Sequence, residues 1–164
     1  MTKTPCKQQS KVDEGKRYRS ILQTGTLNRD PASGKYTAEF GDSVDLFSGH
    51  NEAGRGMELS ELITYQGALL AVDDRTGIVF EIVEDEQGER HMAPRYILPE
   101  GDGLVDKGMK LEWATIKDGS LVVGSFGKEY TDDAGHVVST NNNWVIFIDE
   151  EGAITREDWT QQYK

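Results

Sequence analysis

Leu62-Ile63-Thr64-Tyr65-Gln66-Gly67-Ala68-Leu69-Leu70-Ala71-Val72 can be laid on Ala114-Thr115-Ile116-Lys117-Asp118-Gly119-Ser120-Leu121-Val122-Val123-Gly124 without a gap. In each stretch a run rich in Val, Ile, Leu and Thr is broken by a polar residue and a glycine, and then resumes. A polar-Gly pair between two β-prone runs reads as a two-residue hairpin, because both central turn positions take positive φ and glycine does so without steric cost. The two glycines lie 52 positions apart. Each copy then continues with two further apolar runs, residues 77–83 and 96–98 in the first, residues 136–139 and 144–149 in the second. Four strands per period of about fifty residues is what a propeller blade contains. The same hairpins also suit a meander or a two-sheet sandwich, so periodicity by itself leaves these architectures open.

Outward from the repeat the pattern stays β. Short runs of Val, Ile, Leu, Thr and aromatics, punctuated by Gly, Asp and Asn, predict strands at residues 18–27, 36–40, 44–47, 62–65, 69–73, 78–83, 95–98, 111–116, 121–125, 137–139, 144–148 and 153–156. No segment keeps a helical period over about twelve residues. The chain is therefore expected to be all-β, with two full blades, and a partial one built from residues 18–47. A closed ring takes at least about four blades, so 164 residues are read as part of one.

Composition narrows the function. Lys and Arg total 18 against 29 Asp and Glu, a formal net charge of −11. Such a field repels polyanions and disfavours nucleic acid or an anionic membrane. A phosphate ligand would need a cation as mediator, and the same carboxylate surplus can hold a hard divalent ion through oxygen, or simply keep the protein soluble. Cys6 is the only cysteine, which excludes an intrachain disulfide and a Cys-based zinc site. Residues 1–9 contain no apolar run of the signal-peptide kind, and no run of about eighteen apolar residues occurs, so a membrane segment is not expected in this sequence.

Three regions concentrate polar chemistry. In His50-Asn51-Glu52-Ala53-Gly54-Arg55-Gly56-Met57-Glu58-Leu59, Glu58 stands where a glycine-flanked turn enters a strand. At the inner end of a blade such a carboxylate can meet partners and ligate a metal, and in an exposed loop it is a solvated charge. In Asp73-Asp74-Arg75-Thr76-Gly77, Arg75 could reach a phosphate bidentately, although paired Asp before Gly is also an ordinary tight turn in which an Arg–Asp pair explains the arginine equally well. In Gly124-Ser125-Phe126-Gly127-Lys128-Glu129, the glycines let backbone approach a ligand, Lys128 is a second candidate phosphate contact and Glu129 a second carboxylate after a glycine. A glycine-rich loop with a surface Lys128–Glu129 ion pair fits this segment as well. His50, His91 and His136 lack metal-ligand spacing, and no Walker or dinucleotide loop occurs. Trp113, Trp144 and Trp159 sit in or beside strands, where core packing accounts for them better than a glycan platform would.

Taken in order, Gly54-Arg55-Gly56-Met57-Glu58-Leu59-Ser60, Val72-Asp73-Asp74-Arg75-Thr76-Gly77, Gly101-Asp102-Gly103, Lys110-Leu111-Glu112-Trp113, Gly127-Lys128-Glu129 and Glu157-Asp158-Trp159 resemble the soluble calcium-activated nucleotidase (apyrase) family. The likeness is strongest over residues 48–163 and weaker over residues 10–47. It implies a five-bladed β-propeller with Ca2+ deep in a central tunnel, Glu58 and Glu129 among the metal ligands, and Ser10 as the nearest match to a further ligand. The acidic stretch expected ahead of Ser10 is replaced by Lys3-Thr4-Pro5-Cys6-Lys7-Gln8-Gln9. Residues 1–9 are thus an unmatched leader, and residues 10–164 a partial propeller domain whose later blades are missing. The resemblance further implies hydrolysis of nucleoside diphosphates (UDP, GDP) and of triphosphates, in a secreted or endoplasmic reticulum/Golgi setting. It assigns no catalytic residue, and a chain of this length is expected to be weakly active or inactive and to self-associate through open blade edges. A non-catalytic calcium-binding or protein-interaction β-domain on the same scaffold is the alternative.

Overall fold

The computed structural model describes residues 11–164, whose regular structure is β apart from two three-residue 3-10 turns, Asp13–Gly15 and Asn141–Asn143. β1 (Lys11–Val12), β2 (Arg17–Arg29) and β3 (Tyr36–Ser48) form a three-stranded sheet, essentially a long two-stranded ribbon. β4 (Leu59–Tyr65), β5 (Ala68–Asp73), β6 (Ile78–Glu84) and β7 (Arg90–Ile97) follow as an antiparallel meander in sequential order. β8 (Trp113–Lys117), β9 (Ser120–Gly124), β12 (Trp144–Ile148) and β13 (Ile154–Asp158) make a second four-stranded antiparallel sheet, while β10 (Tyr130–Thr131) and β11 (Val137–Ser139) pair only with each other. The strand orders are open, and none of these sheets closes on itself among the described residues.

The repeated polar-Gly pairs are the hairpins they were expected to be. Gln66 and Gly67 take φ of 50° and 79°, Asp118 and Gly119 take 51° and 81°, and the flanking residues pair as Tyr65↔Ala68 and Lys117↔Ser120. Positive φ at both central positions gives the turn a twist that matches the strands it joins. The first hairpin is tied to the neighbouring repeat: Tyr65 Oη donates to the Ile148 carbonyl at 3.2 Å and Gln66 Nε2 to that of Glu150 at 2.8 Å.

Strand alternation divides the apolar residues between two cores. Tyr65, Leu70, Val72 and Val79 of the first four-stranded sheet join Leu121, Val123, Ile146 and Ile148 of the second, with Leu98, Met109 and Leu111 of the intervening segment filling the space. Ile78 and Phe80, one residue out of phase with Val79, belong instead to a core with Tyr18, Leu46 and Met57, which seats the base of the ribbon. Each of these buried side chains contributes about 1.5–3 kcal/mol.

Two expectations are corrected. Residues 137–139 are not the third strand of the second repeat: β12 and β13 hold the third and fourth places, and β11 belongs to a separate hairpin. Val137 and Val138 are β-prone but exposed, so propensity made a strand there and burial did not recruit it into the sheet. Residues 36–40 and 44–47 form one strand, because Gly41 sits in a bulge where β3 takes one residue more than β2, between the pairs Gly25↔Phe40 and Gln23↔Ser43. Among the described residues no helix is long and apolar enough to cross a membrane.

Candidate functional site

The loop entering β4 folds back on itself. Glu52 and Arg55 exchange backbone hydrogen bonds of 2.7 and 3.0 Å around Ala53 and Gly54, both at positive φ. Gly56 lies against the His50 carbonyl, where a Cβ would collide. The fold-back brings Arg55 onto Glu58: Nε donates to Oε1 at 2.7 Å and Nη2 pairs with Oε2. That bidentate contact is the main cause of the raised Arg55 pKa.

The turn between β5 and β6 is built on Asp73, which is buried. Its Oδ1 accepts from the Arg75 backbone N–H at 2.9 Å, and its Oδ2 from Thr76 Oγ1 at 2.9 Å and the Met57 N–H at 3.2 Å. Burial raises its pKa, and these three donors hold it down only in part. Asp73 thereby fastens the turn to the loop before β4, and the Asp74 N–H completes the junction by donating to the Glu58 carbonyl at 3.0 Å. This is the structural turn that the sequence chemistry suggested.

Around this junction the charges interlock. Arg75 pairs through Nη2 with Glu52, while its buried Nε has no partner. Asp74 Oδ2 accepts from Lys110 Nζ at 2.8 Å, while its buried Oδ1 has none. Lys110 also pairs with Glu112 and lies 5.4 Å from the centre of the Phe126 ring. Burial pulls the Lys110 pKa down, and the bonds to Asp74 and Glu112 more than offset it, so it ends raised. Glu52, Glu58, Asp74 and Glu112 thus stand among Arg55, Arg75 and Lys110, drawn from the loop before β4, the β5–β6 turn and the segment before β8.

The sequence-derived candidates divide as follows. Glu58 and Arg75 lie in this cluster. Arg75 pairs through its guanidinium with Glu52 rather than with an Asp of its own turn, whose Asp73 instead accepts from the Arg75 backbone N–H and Thr76 Oγ1. Glu129 is half-buried just before β10, three residues beyond the Phe126 ring that borders Lys110. Lys128 is exposed, and no ion pair joins it to Glu129; neighbours on a chain leading into a strand point to opposite sides. Ser10 lies outside the described residues. No group of three or more His, Cys, Asp or Glu arranged to hold a metal occurs among the described residues. Glu52, Arg55, Asp74, Lys110 and Glu112 were not singled out from sequence, yet one signal was available. Lys110 follows Glu58 by the same 52 positions that separate the hairpin glycines, so the repeat puts a base where its first copy has an acid. A separate cleft of about 510 Å3, lined by Arg17, Asp45, Phe47, His50, Arg90 and His91 among others, contains none of the cluster's side chains.

A family model described as Apyrase matches residues 6–164. The chain is 39% identical over 155 residues to "Soluble calcium-activated nucleotidase 1" of Rattus norvegicus, covering 94% of this chain and 37% of that protein. It is 40% identical over 154 residues to "Apyrase" of Cimex lectularius, covering 93% and 41%. Against "Apyrase apy-1" of Caenorhabditis elegans the identity is 34% over 152 residues, covering 92% and 41%. The chain therefore spans about two fifths of the length of these relatives.

Proposed function

This chain belongs to the apyrase family, and we propose that its function is the calcium-dependent hydrolysis of nucleoside diphosphates, UDP and GDP foremost, and of triphosphates, with release of phosphate. The observation that carries the reading is the meeting of three sequence-distant motifs, Arg55–Glu58, Asp74–Arg75 and Lys110–Glu112, at one charged junction within a chain matched almost end to end by the family model. The two four-stranded sheets are then blades of a five-bladed propeller, and the ribbon is part of a third.

The donor chemistry fits calcium. The proposed ligands Glu58 and Glu129, with Ser10 outside the described residues, offer only hard oxygen donors. Each oxygen of the Glu58 carboxylate accepts one Arg55 N–H and keeps a further lone pair. Bound calcium supplies charge neutralisation and polarisation at a phosphate that a −11 protein would otherwise repel. This chain's own residues bind and orient. Arg75, with an unpartnered buried Nε, and the exposed Lys128 are the proposed phosphate contacts. Asp73 fixes the turn that carries Arg75. No general base is assigned.

Phosphate release from UDP separates this reading from its alternative. The assay uses this chain and a longer form restoring the relatives' length, each with calcium, with magnesium and with a chelator. Turnover restricted to calcium is expected in the longer form, with little in the 164-residue chain. Equal rates under all three conditions would overturn the calcium requirement. Calcium binding without any turnover in the longer form would favour a non-catalytic domain, a reading supported by the ion pairing that already occupies Glu52, Glu58 and Asp74. A secreted or endoplasmic reticulum/Golgi location accompanies the proposal, as does self-association of this chain through its open sheet edges.

A further inference from the structure

Phe126 is an aromatic ring held in solvent by a rigid loop. It is 43% exposed, whereas the residues just before it, Gly124 and Ser125, are buried. The loop is pinned on both sides of it. The Trp113 indole packs across Gly124, where any Cβ would collide, and its Nε1 donates to the Ser125 carbonyl at 2.8 Å. Ser125 Oγ donates to Asn142 Oδ1 at 3.2 Å. Gly127, at φ 65°, lies against the Tyr163 ring, which again leaves no room for a side chain. Fixed backbone before and after Phe126 sets where its ring projects. That place is the rim of the charged junction, since Lys110 Nζ, bonded to Asp74 and Glu112, stands 5.4 Å from the ring centre.

An exposed aromatic face beside an ion cluster suits a ligand that is planar and apolar at one end and charged at the other. We infer that Phe126 is a stacking platform for the base of the nucleotide whose phosphates are held at the neighbouring junction. The inference rests on the nucleotide reading above and adds to it how the base is recognised. Stacking on a phenyl ring needs no base-specific hydrogen bond, because every nucleobase has a π-face. Lys110 in contact with the ring strengthens the site electrostatically and links it to the phosphate end. Such a platform discriminates weakly among bases and favours the larger, so a purine nucleotide gains more from it than a pyrimidine.

Calorimetric titration of the longer form that restores the relatives' length, with non-hydrolysable methylene analogues of GDP and UDP and with inorganic pyrophosphate, each with calcium, tests the inference. Phe126→Ala is expected to weaken the GDP analogue roughly tenfold, the UDP analogue less, and pyrophosphate, which has no base, not at all. Phe126→Tyr should retain the parent affinities, and Phe126→Leu, which keeps apolar bulk without a π-face, should behave like the alanine variant. Circular dichroism of each variant accompanies the titrations. Unchanged affinity of Phe126→Ala for the GDP analogue would overturn the platform and leave the nucleotide reading standing. Equal loss of all three ligands would also overturn it, by showing that the ring supports the phosphate end instead. Failure of the unsubstituted longer form to bind any of the three would overturn both the platform and the nucleotide reading.

Discussion

Lys110 Nζ reaches Asp74 Oδ2 at 2.8 Å although 36 positions separate the two residues. This contact joins the segment before β8 to the turn after β5, and so couples the two repeats at the charged junction. Both side chains are partly buried, and Asp74 Oδ1 has no partner. Lys110→Met should therefore destabilise the chain by about 1–3 kcal/mol, less than a fully buried pair would lose, because some solvent remains. Asp74→Asn alone should cost less, and the double variant less than the sum of the two. Urea unfolding of all four proteins completes the cycle, and strict additivity would show that the pair is not coupled.

Asp73 supplies a pH signature. Its pKa is raised chiefly by burial, so folding favours its protonated form. The ionised form is therefore held at a cost near neutral pH, and this group's contribution to stability improves as pH falls through the raised folded value toward about 3.8, its ordinary value. Asp73→Asn does not titrate, and it faces its amide toward one of the three donors now satisfied. The variant should be less stable than the parent by about 1–3 kcal/mol at pH 7, and the gap should widen between pH 7 and about pH 4. Thermal melts of both proteins across that range check it, and a gap that narrows on acidification would contradict the raised pKa.

The fold was legible wherever one residue's local chemistry decides. Gln66-Gly67 and Asp118-Gly119 reveal their hairpins because positive φ is a local demand that glycine meets. Asp73 in a turn before Thr76-Gly77 likewise announces its structural role. Legibility failed where tertiary context overrides the local signal. Gly41 reads as a break yet lies in a bulge of a continuous strand, and Val137-Val138 read as part of a blade's third strand yet lie exposed in a separate hairpin. In the candidate site Glu58 and Arg75 were singled out by motif, and Glu58's partner Arg55 lies in the same stretch, but the junction's long-range pairs were not legible. Asp74–Lys110 and Glu52–Arg75 are chosen by folding across 36 and 23 positions, which no local pattern encodes.

The hairpin glycines make a clean conformational test. A Cβ at Gly67 would meet nothing within 4 Å, so the cost of Gly67→Ala is that of its φ of 79° alone, about 1–2 kcal/mol. Asp118, at φ 51° in the matching hairpin, is an exposed non-glycine residue whose ion pair is with the adjacent, exposed Lys117, so Asp118→Asn should raise stability by a few tenths of a kcal/mol, asparagine being the better left-handed residue. Chemical denaturation of the two variants should give shifts of opposite sign.

The distal ribbon predicts self-association. Register pairs Leu27 with Ala38, Gly25 with Phe40 and Arg29 with Tyr36, which puts Leu27, Phe40 and Tyr36 on one face. These three are 68%, 79% and 62% exposed. A two-stranded ribbon is marginal in water without a covered face, and its edges can pair with another chain. Size-exclusion chromatography of this chain should show species larger than the 18.3 kDa monomer. Leu27→Lys with Phe40→Lys should return it to monomer. A monodisperse parent with a cooperative melt would show that the face needs no cover.

Calcium binding gives the sharpest test of the proposed ligands. Glu58 immediately precedes β4 and is bonded to Arg55, and Glu129 immediately precedes β10 beside the segment that carries Phe126. If both ligate one ion, Glu58→Gln and Glu129→Gln each remove a ligand charge while nearly preserving shape, and each should weaken calcium affinity by roughly tenfold or more. Because they would share the ion, the double variant should lose less than the product of the two single losses. Glu86→Gln, an exposed carboxylate in the β6–β7 turn, removes the same charge from the whole molecule and should leave affinity nearly unchanged. Titration with calcium followed by tryptophan fluorescence reads all four variants against the parent. If Glu86→Gln weakens binding as much as Glu58→Gln does, the calcium response reports only the general acidic field of a −11 chain, and the assignment of Glu58 and Glu129 as ligands fails.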